Sequence, residues 1–224
     1  MRALFHLACF LLYAYVCYQD SIIVSGKLLP IPYQFFSKFV WLTLIDLYGQ
    51  LFYHLIGFII MVVAPNKKHT IFDYISRSLV GPIGVAVTVL FWALYLFDPA
   101  TLAHDEMGRK ILAMKWFNHG LHTLPIITAH LDLLVWKHTS FSNGAVLKAM
   151  SVFSVLYLID LHYVYYIANF WAYPILGELP APFRLLFIAA CISIVYVSYL
   201  WLSFVHVAVH GKAEKPTARK SKAK

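Results

Sequence analysis

The sequence predicts an all-α polytopic membrane protein, a bundle of six transmembrane helices with both termini in the cytosol. Three observations carry this. Of the 224 residues 61% are hydrophobic and only 12% charged, and the mean hydropathy is +0.72, outside the range of an ordinary soluble domain. A helix needs about 20 apolar residues to cross the hydrocarbon, and six such runs are present, at 3–19, 39–64, 79–97, 117–136, 145–169 and 183–209. With both ends inside, Arg2, Lys67, Lys68, Arg77, Lys137, Lys148 and six basic tail residues face the cytosol, against Lys27, Lys38, Arg109, Lys110, Lys115 and Arg184 outside. Twelve against six satisfies the positive-inside rule.

The first run resembles a signal peptide in length, but only Arg2 precedes it, it is rich in aromatics, and "AYVCYQD" offers no small-x-small cleavage site. It is read as the first span. The second, "KFVWLTLIDLYGQLFYHLIGF", carries Thr43, Asp46, Gln50 and His54 at spacings of three, four and four, which puts them on one helix face. The fourth opens with "NHGLHT", bringing Asn118, His119 and His122, and later holds His130 and Asp132. The fifth holds Asp160 and His162, and the third and sixth complete the bundle. All six runs are continuously apolar, whereas a β-barrel needs alternating segments of about 10 residues.

Residues 1–210 are expected to form one transmembrane domain and 211–224 a basic, disordered cytosolic tail. The tail, "GKAEKPTARKSKAK", supplies most of the net charge of +8. No folded basic surface accompanies it, so its expected partner is the anionic headgroups of the cytosolic leaflet and not nucleic acid. Its last residues, "KSKAK", resemble a dilysine retrieval signal and point to the endoplasmic reticulum membrane. Cys9, Cys17 and Cys191 lie inside apolar runs, as small buried hydrophobes do, and form neither a disulfide framework nor a metal knuckle.

An ionisable group at the centre of a transmembrane helix costs ~2.5–3.5 kcal/mol on insertion scales, so it faces the bundle interior or water. Helices two and four run in the same direction, and Thr43 and His122 each lie about five residues in, some ~6–8 Å inside one boundary at ~1.5 Å per residue. Asp160 and His162 reach a similar level from the opposite direction. A hydroxyl and an imidazole at one depth suit nucleophilic catalysis, since threonine needs an adjacent base and histidine serves near neutral pH. Interhelical hydrogen bonding accounts for any one of these residues more readily than catalysis does, but it explains the group less well. There is no G-x-S-x-G elbow, no H-E-x-x-H zinc motif and no glycine-rich phosphate loop.

Four stretches, "KFVWLTLIDLYGQLFY", "DYISRSLVGPIGVAVTVLFWALYLFD", "WFNHGLHTLPII" and "FWAYPIL", in this order and spacing, resemble the androgen-induced protein family, which includes the androgen-dependent regulator of tissue-factor-pathway inhibitor. The resemblance covers about residues 36–190. It implies a six-helix membrane hydrolase that cleaves fatty acid esters of hydroxy fatty acids, without a metal or other cofactor, using a threonine nucleophile that falls on Thr43 and a histidine that falls on His122. The linker "DPATLAHDEMGRKILAMKWFNHG" departs from the Tyr-Pro-Lys that relatives carry before their Asn-His.

In this reading His122 deprotonates Thr43, an acyl-threonine forms, and water activated by His122 releases the second acid. Asn118 and His119 are candidate oxyanion donors or supports, and Asp46 orients His122 or bonds a neighbouring helix. The two-chain lipid ester enters from the bilayer. Arg109, Lys110, Lys115 or Arg184 are candidates to pair with its carboxylate, and Trp116, Trp171 and Tyr173 are expected in an aromatic belt. Two rivals remain: a haem or metal redox protein using His119, His122, His130 and His162, and a non-catalytic membrane regulator.

Overall fold

The structure is a computed structural model that describes residues 1–103 and 105–211. Residues 212–224, and with them the expected tail, lie outside the described residues. The regular structure described is helical: α1 (Arg2–Ile23), α2 (Leu42–Val63), α3 (Thr70–Phe97), α4 (Glu106–Leu112), α5 (Lys115–His122), α6 (Leu124–Val135), α7 (Asn143–Ala168), α8 (Pro174–Glu178) and α9 (Ala181–His210), with short 3₁₀ turns between. Four of them, α2, α3, α7 and α9, are long and apolar enough to cross a membrane, and α6 is a shorter apolar helix.

Two elements differ from the sequence reading. The third helix begins at Thr70, well before residue 79, and includes a π turn at Ser76–Val80. Pro82 follows that turn, and proline lacks the N–H and crowds the carbonyl four residues back, which regular α-helix cannot absorb. Arg77, counted above among the residues facing the cytosol, is therefore helical and buried, donating to the Leu202 carbonyl at 3.3 Å and to Ser203 Oγ at 2.9 Å. The fourth run is two helices broken at Thr123 (φ −119°, ψ −37°). Pro125 in the first turn of α6 cannot donate back across the junction, so the ladder stops there.

Packing is built on α1 and α2, where Cys9, Tyr13, Val16 and Cys17 meet Leu44 and Leu47, with Phe117 and Leu121 of α5 closing the cluster. Gly57 permits the close approach, since a Cβ there would stand 2.6 Å from the His6 ring. α9 packs through Leu202 on Val85, Ala129 and Leu133 of α3 and α6. α7 is peripheral: Ser142 caps its start, accepting from Ala145 N at 3.3 Å. It ends at Asn169, whose φ of 51° is a left-handed conformation that asparagine tolerates. In both α7 and α9 only 17% of the apolar window is buried, which leaves their outer faces to lipid.

One end of the bundle is closed by polar bonding. Asp132 Oδ2 accepts from Tyr53 at 2.7 Å, from His138 Nε2 at 2.8 Å and from Ser76 at 3.3 Å. His138 Nδ1 reaches Asp73 at 3.0 Å, and the His6 and His54 rings meet at 2.9 Å. The other end contains a cavity.

Candidate active site at a helix break

The cavity has a volume of about 720 Å³ and gathers the first turn of α2, the last turn of α5, the C-terminal half of α3 and the middle of α7. Thr43 and His122 both line it. Thr43 is the second residue of α2, whose N-terminus carries no side-chain cap. Helix geometry leaves the first N–H groups of a helix without carbonyl partners in the same helix, and the aligned peptide dipoles place partial positive charge there. The hydroxyl of Thr43 thus stands in a positive local field, beside the cavity.

His122 is the last residue of α5, directly before the break, and is 6% exposed. Its ring stacks on Phe91. Its Nδ1 lies 3.1 Å from the Asn118 carbonyl. A carbonyl only accepts, so Nδ1 carries the hydrogen, and in the neutral ring Nε2 keeps a lone pair for a proton. That is the tautomer a general base requires.

Asn118 is buried, lines the cavity, and spends its side-chain amide on the Leu112 carbonyl, which ties α5 to the end of α4. His119 points elsewhere: its ring is exposed, bonds Thr123 Oγ1 at 3.0 Å and lies against Trp92. Asp46 also lies outside the cavity, one turn further along α2, accepting from Gln50 Nε2 at 3.1 Å. Thr43, His122 and Asn118 therefore line one cavity, which His119 and Asp46 do not.

Two tyrosines complete the wall beside Thr43. The Tyr173 hydroxyl interacts with the Thr43 side chain, the Tyr157 hydroxyl and the Leu42 backbone, and Tyr157 donates to the Val40 carbonyl at 2.9 Å. Tyr173 lines the cavity and so differs from the aromatic-belt expectation. Its place in "FWAYPIL", one of the stretches that carry the family resemblance, was the available signal. Of the expected carboxylate partners, Lys110 pairs with Glu106 at 2.9 Å, and Arg184 lies over Trp171 and donates to the Leu179 carbonyl at 3.0 Å. Among the described residues the cation lining the cavity is Lys27.

The histidines offered as haem or metal ligands do not converge. His122, His130 and His162 each direct Nδ1 to the carbonyl four residues back in their own helices. Among the described residues no three His, Cys, Asp or Glu side chains stand close enough to hold a metal ion.

Long apolar helices, polar side chains bonded to one another in the interior and an apolar cavity with a few polar groups in its wall define a polytopic membrane protein with an internal cavity. The chain belongs to the FAR-17a/AIG1-like protein family, whose model matches residues 1–207. It is 29% identical over 139 residues to the androgen-induced gene 1 protein of Homo sapiens, covering 61% of this chain and 56% of that one. To the androgen-dependent TFPI-regulating protein of Mus musculus it is 24% identical over 149 residues, covering 66% and 64%. A UPF0641 membrane protein of Schizosaccharomyces pombe is 26% identical over 172 residues, covering 71% and 76%. The match thus spans less than two thirds of the human and mouse proteins' own length. No solved structure matches.

Proposed function

We propose that the protein is a membrane ester hydrolase acting on fatty acid esters of hydroxy fatty acids, with Thr43 as nucleophile and His122 as general base. The observation that carries this is the shared cavity, lined by both residues, with His122 Nδ1 bonded to the Asn118 carbonyl. His122 Nε2 takes the Thr43 proton as the Thr43 oxygen attacks the ester carbonyl. Collapse of the tetrahedral intermediate releases the hydroxy fatty acid, which takes that proton on its alkoxide oxygen, and leaves acyl-Thr43. Water, deprotonated by His122, then cleaves the acyl-threonine, and the proton returns to the Thr43 oxygen. Tyr173 and the positive end of α2 stabilise the oxyanion, and Asn118 positions His122. One preorganised donor is worth roughly 2.7–4 kcal/mol in other enzymes.

The chain crosses the membrane six times in this reading, α1 and the broken α5–α6 pair adding to the four long helices. Both termini are cytosolic, the catalytic layer faces the lumen of the endoplasmic reticulum, and the basic tail contacts anionic headgroups. The test is labelling of purified protein in bilayers by a lipid-like fluorophosphonate, alongside turnover of a two-chain ester. Wild type is expected to label and turn over, and Thr43→Ala to do neither. Labelling that persists in Thr43→Ala removes Thr43 as the nucleophile.

A further inference from the structure

A second apolar void, of about 780 Å³, lies between α2 and α3 on the side away from Thr43. Its walls continue those of the cavity. Along α2, Thr43 and Leu44 border the cavity and the next residues, Ile45 and Asp46, border the void. Along α3, Val87 borders the cavity and Ile83 the void. The void thus follows the cavity along both helices, as the outer and inner segments of the crevice these helices line. Among the described residues a single side chain borders both: Phe153, half-buried on α7.

The outer segment is open to the bilayer. Phe52, Ile56 and Ile71, which line it, are 56%, 49% and 77% exposed. It extends along α2 to Ile60, so from Thr43 the crevice runs about 25 Å at ~1.5 Å per residue. That is most of the ~30 Å hydrocarbon thickness.

We propose that the two segments are continuous past Phe153, that the outer one receives one of the two acyl chains of the ester while the ester group sits at Thr43, and that Phe153 sets how long this chain can be. A chain held there lies mostly against apolar side chains and membrane lipid; of the polar groups that border the void, Asp46 already accepts from Gln50, and Lys68, His69 and Thr70 stand at the α2–α3 connection. A narrower passage at Phe153 stops a long chain and leaves a short one, which ends before the ring, unaffected. The assignment rests on the ester-hydrolase reading for its substrate but not for its measurement.

The test compares two esters of the same hydroxy fatty acid, one palmitoyl and one butyryl, in proteoliposomes of wild type, Phe153→Trp and Phe153→Ala. Phe153→Trp is expected to lower the palmitoyl-to-butyryl ratio of kcat/KM at least tenfold, and Phe153→Ala to raise it at least threefold. Should Phe153→Trp fail to fold, Phe153→Ala decides alone. Ratios unchanged in the folded variants overturn the proposal. Binding of the uncleaved esters is measured in parallel in the Thr43→Ala background. A chain-length effect on binding, with no turnover in wild type, sinks the hydrolase reading and leaves the crevice assignment standing. Binding that ignores chain length at position 153 overturns the assignment whatever turnover does.

Discussion

The imidazole of His122 lies flat on the ring of Phe91, with centroids 3.4 Å apart and planes 5° from parallel. With Nδ1 fixed to the Asn118 carbonyl, this contact leaves the ring little freedom to tilt. Aromatic pairs contribute about 0.5–1.5 kcal/mol beyond area burial, and 1.36 kcal/mol is a factor of ten in rate. Phe91→Leu is expected to lower kcat by up to about tenfold with a smaller change in KM. A change confined to KM shows that Phe91 only lines the substrate's path.

The two histidines of "NHGLHT" are expected to part company on substitution. His122→Ala removes the base and should lower kcat/KM by roughly 10²–10⁴-fold. His119→Ala, outside the cavity, should change stability by no more than about 0.5 kcal/mol and leave turnover near wild type. Steady-state kinetics on the two variants with matched melting curves checks this, and equal losses reject the separation.

Lys38 and Asp20 form an ion pair with both side chains fully buried, and Tyr48 adds a hydrogen bond to the same carboxylate oxygen at 3.3 Å. Removing one partner strands a buried charge, at a cost of about 3–5 kcal/mol, whereas replacing both by apolar residues is often neutral. Lys38→Met should therefore melt far below wild type, and Lys38→Met with Asp20→Leu should recover most of the loss. Thermal unfolding in detergent checks it; additive losses argue against a coupled pair.

His138 gives the fold a pH dependence. Burial opposes its charged form, but the Asp132 and Asp73 carboxylates that hydrogen-bond its two ring nitrogens outweigh burial and raise it from 6.5 to about 9. A pKa raised on folding stabilises below the unfolded value, and this contribution is lost as pH climbs through the folded one. The melting temperature should be highest near pH 6.5 or below on this account and fall between about 6.5 and 9. His138→Gln should flatten that fall. A wild-type profile equally flat over that window contradicts the imidazolium.

Helix class and most span positions were legible because continuous apolar runs leave the backbone no other way to satisfy itself in hydrocarbon. That Thr43 and His122 line one cavity was legible through depth, since equal distances from one boundary on parallel helices place side chains at one level. The depth argument also admitted Asp160 and His162, neither of which lines the cavity, because level along an axis says nothing of rotation about it. The ion pair of Asp20 and Lys38 was not legible, as both residues fall at the edge of spans where charge is ordinary. Nor was the network of His6, Asp73, Asp132 and His138, drawn from three separate parts of the chain that meet only when α1, α3 and the end of α6 pack. The break at Thr123 had one written sign, Pro125, inside a run otherwise apolar throughout.

The π turn at Ser76–Val80 makes the length of α3 as constrained as its composition. A π turn accommodates an additional residue, and each residue of an α-helix rotates the chain by about 100°. Losing one residue from the regular helix between Gly81 and Val87 swings everything beyond it by that angle, so Val87 and Phe91 leave the cavity while Asp73 keeps its bond to His138. Losing one from the π turn instead lets the helix heal to regular pitch with its two halves still in phase. The same deletion thus separates the two ends of the protein or leaves them aligned, according to which side of Gly81 it falls on.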